Sequence, residues 1–215
     1  MEIAALPTKG ERTRAHIVAT AASLFWRHNF HGVSVDKVAD AAKVNKATVY
    51  RYFADKRDLA LAVVKYDGAV TLDVFFASTF DEFEAPQDRL AAIYRRSHCA
   101  HTAMHSECGD VLGCPVVGLT LELGQEMPEI RAAAQEIFDE VERYLTMIAS
   151  DAIAANAMPG EPAMLGRTLM QLLHGAFASA RVSIDPDRVL DAGHASLSLI
   201  GFPDTPILLP ESENP

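Results

Sequence analysis

Apolar residues recur along this chain at spacings of three and four, and no stretch alternates strictly between apolar and polar. The first such run is Ile17, Ala21, Leu24 and Phe25, with His28 on the same stripe, which predicts a helix over about 10–28. Asn29-Phe30-His31-Gly32 then reads as a turn. Val35, Val38 and Ala39 mark one face of a short helix, with Ser34 as its N-cap because a hydroxyl accepts from an orphan backbone N–H. Val44 falls in a tight turn, and Val49 with Phe53 marks the inward face of a second short helix. Asp55 is placed to cap a long helix to about Phe80.

Prolines punctuate the rest of the chain. Pro86 opens a helix to about His105, Pro115 one to about Gly124, and Pro128 one carrying Ile130, Ala134, Ile137, Phe138, Val141, Leu145 and Ile148. A loop over 158–162 precedes helices over about 163–183 and 186–200. The tail from Phe202, with Pro203, Pro206, Pro210 and Pro215, is expected to be disordered, and residues 1–9 a loose arm. The fold class is all-α.

The two short helices around Val44 are the most informative feature. Small Ala39 lets them cross closely, as a helix-turn-helix requires. The second helix keeps Lys46, Ala47, Thr48, Tyr50, Arg51 and Tyr52 on its outer face, a slim polar surface suited to a DNA major groove. Together with Arg14-x-x-Ile17-x-x-x-Ala21-x-x-Leu24-Phe25 upstream, Thr48-Val49-Tyr50-Arg51-Tyr52-Phe53 and Asp55-Lys56-Arg57-Asp58-Leu59 downstream, this block resembles the DNA-binding domain of the TetR family of transcriptional repressors. The resemblance covers about residues 10–65 closely and the remainder only in its helix pattern. One departure is visible: Lys43 stands in the turn where the family usually has glycine, and a non-glycine residue in the left-handed region costs about 1–2 kcal/mol.

The resemblance implies a helix-turn-helix DNA-binding domain over 1–55, a helical effector-binding and dimerisation domain over 56–201, and a tail over 202–215. It implies a homodimeric regulator, a repressor released from double-stranded operator DNA by a small-molecule effector, with no enzymatic activity and no cofactor. By the same resemblance Lys46, Ala47 and Thr48 are the base-edge residues and Tyr50, Tyr52 and Lys56 the phosphate contacts, with Ser34 and Arg51 completing the DNA-facing set. Leu169, Leu173, Phe177, Leu190 and Leu197 on the last two helices look like the family's dimer-forming pair, helped by small residues such as Gly175 and Gly193. The alternative for these apolar positions is the internal core of one chain.

Charge supports the division. The net charge is −10, yet residues 1–66 hold 11 Lys or Arg against 6 Asp or Glu, and residues 67–215 hold 8 against 23. Every lysine lies in the first part, which points to a basic module on an acidic body. Nothing approaches the roughly 18 apolar residues of a membrane span, no basic start leads an early apolar run, and three cysteines are too few for a disulfide scaffold. A cytoplasmic protein with reduced thiols and no membrane partner is expected.

Two further constellations carry chemistry. His98, His101 and His105 fall on one helical face near Glu107, Cys108 and Cys114, which makes zinc or copper conceivable and keeps a helical metal-binding enzyme as the alternative of another class. No C-x-x-C or recognised zinc spacing is present, so solvated or pocket-lining histidines are preferred and no metal is assigned. Gly113-Cys114-Pro115 sets a thiol at a helix start, where thiolate is favoured, and similar Gly-Cys segments occur in TetR-like repressors that respond to electrophiles; a redox- or electrophile-responsive repressor through Cys114 is therefore the second reading, against an inert cysteine. The effector pocket is expected among Phe75, Phe76, Met104, Cys114, Met127, Phe138 and Met147, residues that would equally serve as core.

Overall fold

A computed structural model describes residues 6–156 and 158–210, and among these every regular element is helical. The elements are α1 (Lys9–His28), α2 (Val35–Ala41), α3 (Lys46–Tyr52), α4 (Lys56–Thr71), a π-helical stretch (Leu72–Ala77), α5 (Ser78–Glu82), α6 (Pro86–Cys108), α7 (Pro115–Leu123), α8 (Pro128–Asn156), α9 (Pro162–Ser183) and α10 (Arg188–Leu199). They form two compact units: residues 1–69 with 115–135, and residues 70–114 with 136–215. The units therefore do not follow the division at residue 55, because α7 and the start of α8 join the N-terminal helices.

The helix boundaries of the first unit follow from capping. Thr8 closes a capping box with Glu11, which orders the end of the expected loose arm and starts α1 at Lys9; residues 1–5 of that arm lie outside the described residues. Ser34 accepts from the Lys37 N–H and so begins α2 as expected. Asn45 performs the same service for α3 through the Thr48 N–H, and Asp55 for α4 through the Asp58 N–H. Ile17, Ala21, Phe25, Val38, Val49, Phe53, Leu59 and Val63 are all buried, with Leu119, Leu123, Met127 and Ile130 buried in the second segment of the unit. Lys43 sits at φ 52°, so the turn between α2 and α3 does adopt the left-handed conformation that favours glycine.

In the second unit, the long helix expected to reach Phe80 instead widens into the π-helical stretch and resumes as α5. Such a stretch shifts the backbone pairing by one residue. Arg96 of α6 donates to the Val74 carbonyl, to Ser78 and to Thr79, and pairs with Glu82, bracing this segment. The core of the unit centres on Leu90, Ile93, Tyr94, Leu145, Ile148, Leu169 and Leu197. Tyr94 donates or accepts a buried hydrogen bond with Ser196 at 2.7 Å, and burial pushes its phenol up to about 12. Gly193 allows this crossing, since a Cβ there would meet the Tyr94 ring atom Cγ at 2.9 Å and Ile207 Cδ1 at 2.6 Å.

Two expectations are corrected here. The tail is not disordered over residues 202–210: Phe202 and Ile207 pack against the core, supplying apolar contact that the proline content masks, while residues 211–215 lie outside the described residues. Leu169, Leu173 and Leu197, assigned to a dimer interface, are at most 4% exposed within the single chain, and Phe177 packs on the same core with Leu190 half-buried. Helix periodicity marks an apolar face without saying what covers it. The apolar and small residues left uncovered on α9 are Met164, Gly175, Ala178 and Val182, and on α10 Ala195 and Leu199.

Candidate nucleic-acid interface and the helical body

Helix α3 presents its polar face while its apolar face anchors it. Val49 and Phe53 are 1% exposed, which fixes the rotation of the helix and leaves Lys46, Ala47, Tyr50 and Arg51 exposed, with Thr48 and Tyr52 half-buried. Lys46 pairs with Asp36 at 2.8 Å, and this carboxylate raises the lysine pKa further above its ordinary range. Thr48 Oγ1 donates to Asn45 Oδ1 at 2.8 Å. Arg51 lies over the Tyr52 ring and donates to its hydroxyl at 3.1 Å. Ser34 is exposed at the start of α2. Arg14 of α1 stacks over the Phe53 ring at 5.0 Å.

Lys56, expected on phosphate, is engaged within the chain. Its ammonium donates to the Phe30 carbonyl at 2.6 Å and lies 3.9 Å from the centroid of the Phe30 ring. Burial lowers its pKa, with Glu122 opposing that shift. The same turn is held from the other side by Glu122 of α7, whose carboxylate accepts from the N–H groups of Phe30 and His31 at 2.8 and 3.0 Å. Arg57 pairs with Glu126 at 2.5 Å. Sequence reasoning missed Glu122 and Glu126 because they lie some 70–90 residues away along the chain and no local pattern marks them.

The second unit scatters the remaining candidates. Met104 is buried, and Phe75 and Phe138 are half-buried against the core, whereas Met147 is 41% exposed and Met127 is buried within the first unit. Cys114 is half-buried, directly before α7. The three histidines of α6 do not converge on one point: His98 Nε2 donates to Asp187 at 2.9 Å, and His101 Nδ1 faces the Ser97 carbonyl at 2.7 Å. Among the described residues, no three His, Cys, Asp or Glu side chains are placed to hold a metal ion. No helix among them is long and apolar enough to cross a membrane.

A short helix with an anchored apolar face and an open polar face, capped behind a tight turn and carried by a helical chain, defines a helix-turn-helix DNA-binding transcriptional regulator. Residues 17–63 match the model of the bacterial regulatory proteins of the tetR family, and residues 87–195 match that of the LmrA/YxaF-like transcriptional regulator C-terminal domain. The chain belongs to the tetR family. It is similar to the transcriptional regulator AcuR of Cereibacter sphaeroides, 26% identical over 74% of this chain and 71% of that one. It is likewise similar to the transcriptional repressor NemR of Escherichia coli, 25% identical over 80% of this chain and 85% of that one. The crystal structure of Escherichia coli NemR in its reduced form superposes with a TM-score of 0.76, covering 90% of this chain and all of that one at 23% identity. A TetR-family regulator from Agrobacterium tumefaciens gives the same score at 17% identity over 88% of this chain and 98% of that one, a likeness of fold alone.

Proposed function

We propose that this protein is a cytoplasmic, homodimeric repressor that releases its operator when a small-molecule effector occupies the second unit. The exposed polar face of α3 carries the reading. Lys46, Ala47 and Thr48 open the helix towards base edges. Thr48 hydrogen-bonds its hydroxyl to Asn45, which leaves its methyl group for a thymine methyl. Tyr50, Arg51 and Tyr52 serve the phosphate backbone. Two such heads match the two half-sites of a palindromic operator, and the uncovered face with Met164, Gly175, Val182 and Leu199 is suited to join them. The effector biases the equilibrium between head spacings by binding one of them better. Its site lies among Met104, Phe75 and Phe138 rather than at exposed Met147.

DNA selected from a random pool by the purified protein tests the reading. The logarithm of affinity should fall by about 0.9 per phosphate neutralised for each unit of log salt. Thr48→Ala should change base preference at one position per half-site, and Tyr50→Ala should weaken all sequences alike. A salt-insensitive shift would refute the assignment. In a second reading, Cys114 is the trigger. It directly precedes α7, the helix whose Glu122 holds the Phe30–His31 turn, so an adduct there acts on that helix at its start. Limiting electrophile should then label Cys114 ahead of Cys99 and Cys108, and Cys114→Ser should stay on DNA; labelling elsewhere sets this reading aside.

A further inference from the structure

Four rings stand in a row within the second unit. His101 lies over Phe177 with centroids 4.9 Å apart, Phe177 meets His174 edge-on at 5.9 Å, and His174 lies over Phe138 at 4.8 Å. They come from α6, α8 and α9. Enclosing an imidazole among phenyl rings does not remove its demand for hydrogen bonds, and buried polar atoms without partners are rare in native chains. Both ring nitrogens of His174 are nevertheless buried without a hydrogen-bond partner, and so is Nε2 of His101. His101 as a whole is only 6% exposed.

The protonation of these rings follows from their neighbours. The Ser97 carbonyl only accepts, so Nδ1 of His101 carries the proton. Burial lowers the pKa of His101, with the Ser97 bond opposing and neighbouring His98 adding to the shift; burial alone lowers that of His174. His101 is therefore neutral near pH 7 and turns a bare acceptor inward. His174, also neutral, offers one donor and one acceptor. Neighbouring His98 faces Asp187 through Nε2, and its Nδ1 is buried without a hydrogen-bond partner. An anion suits this set poorly, because the Nε2 lone pair repels it and desolvation opposes the imidazolium that would receive it. An apolar body with a hydrogen-bond donor suits it well.

We propose that this imidazole–phenyl row is the effector-recognition site and that its ligand is an uncharged hydroxylated aromatic compound, whose O–H donates to Nε2 of His101 while His174 answers a second polar group and the phenyl rings receive the flat body. The inference rests on the reading of the second unit as the effector-binding part. Calorimetric titration of the full chain at pH 7.5 with 2-naphthol, 2-methoxynaphthalene and 2-naphthoate tests it. The naphthol should bind at least about tenfold more tightly than the methoxy compound, which keeps the shape and lacks the donor. His101→Phe should abolish that preference, and His174→Phe should weaken naphthol binding.

Imidazole nitrogen-15 spectra of the unaltered protein make the test independent of how the variants fold. Nε2 of His101 should resonate as an unprotonated nitrogen and shift on adding naphthol. Equal affinities for naphthol and its methyl ether, tighter binding of the naphthoate, or a protonated Nε2 in the free protein would each overturn the proposal. Operator release is scored on the same samples. Naphthol preference without release keeps this site and defeats the effector-release reading, whereas release without the preference defeats this site alone.

Discussion

In the first unit, charged side chains reach across the chain to close on backbone: Glu122 takes the N–H groups of Phe30 and His31, and Lys56 returns to the Phe30 carbonyl. In the second unit, Arg96 closes likewise on the Val74 carbonyl, but the imidazoles of His101 and His174 keep bare nitrogens inside an aromatic enclosure. The first arrangement holds a turn in one geometry, which a helix entering a groove needs. The second leaves hydrogen-bonding capacity that a ligand can meet.

The largest effect expected separates core from interface. Leu197 is fully buried, so Leu197→Glu should leave an unpaired charge in the core and cost more than about 4 kcal/mol. Val182 is 87% exposed, so Val182→Glu should leave the helices intact and dissociate the proposed dimer. Circular dichroism melts with sedimentation check both; a folded monomeric Leu197→Glu variant would return that residue to an interface.

The next prediction sets the two units against each other in pH. Asp67 in the first unit has a buried oxygen without a partner, and burial raises its carboxyl to about 7. A raised pKa contributes stability that is fully present below the unfolded value near 3.8 and is lost as pH rises through about 7. Asp67→Asn should therefore stabilise the protein by roughly 4 kcal/mol at pH 8 and by less than half as much at pH 5. His101 and His174, whose pKa values are lowered, act oppositely: their contribution is present above the unfolded value of 6.5 and is lost as pH falls below it. Hydrogen exchange resolved by segment should show the first unit weakening towards alkaline pH and the second towards acid. The same trend in both would break the contrast.

Smaller effects probe the first unit's frame. Glu122→Ala removes two charge-assisted bonds and should cost about 2 kcal/mol, read as faster exchange of the Phe30 and His31 amides with weakened operator binding. Protection that does not change would make this contact dispensable. Lys43→Gly relieves the left-handed strain and should gain about 1 kcal/mol in denaturant melts; a loss would mean that the lysine side chain compensates for its backbone.

Much of the fold was legible because helices announce themselves locally. Ser34, Asp55 and Pro86 marked helix starts that the structure keeps, since a cap acts within one turn of its own position. The outward set on α3 was legible for the same reason: Val49 and Phe53 fix the rotation of seven residues. The Lys56 contact was not legible, because a lysine in a basic helix start looks the same whether it meets phosphate or a carbonyl 26 residues back. The tail was misread because proline content signals the absence of a helix and says nothing about packing, and Phe202 and Ile207 do pack.

The helical class, the helix-turn-helix and the polar face of α3 are written in patterns that repeat within a few residues, and the charge division in plain composition. That α7 belongs with the N-terminal helices, that Glu122 holds the turn after α1, that Leu169 and Leu197 are core, and that His101 and His174 share a row of rings emerge only once the helices pack. Each of these depends on which surfaces meet across tens of residues. Periodicity sets the direction in which a side chain leaves its own helix, whereas its partner is chosen by how separate helices pack.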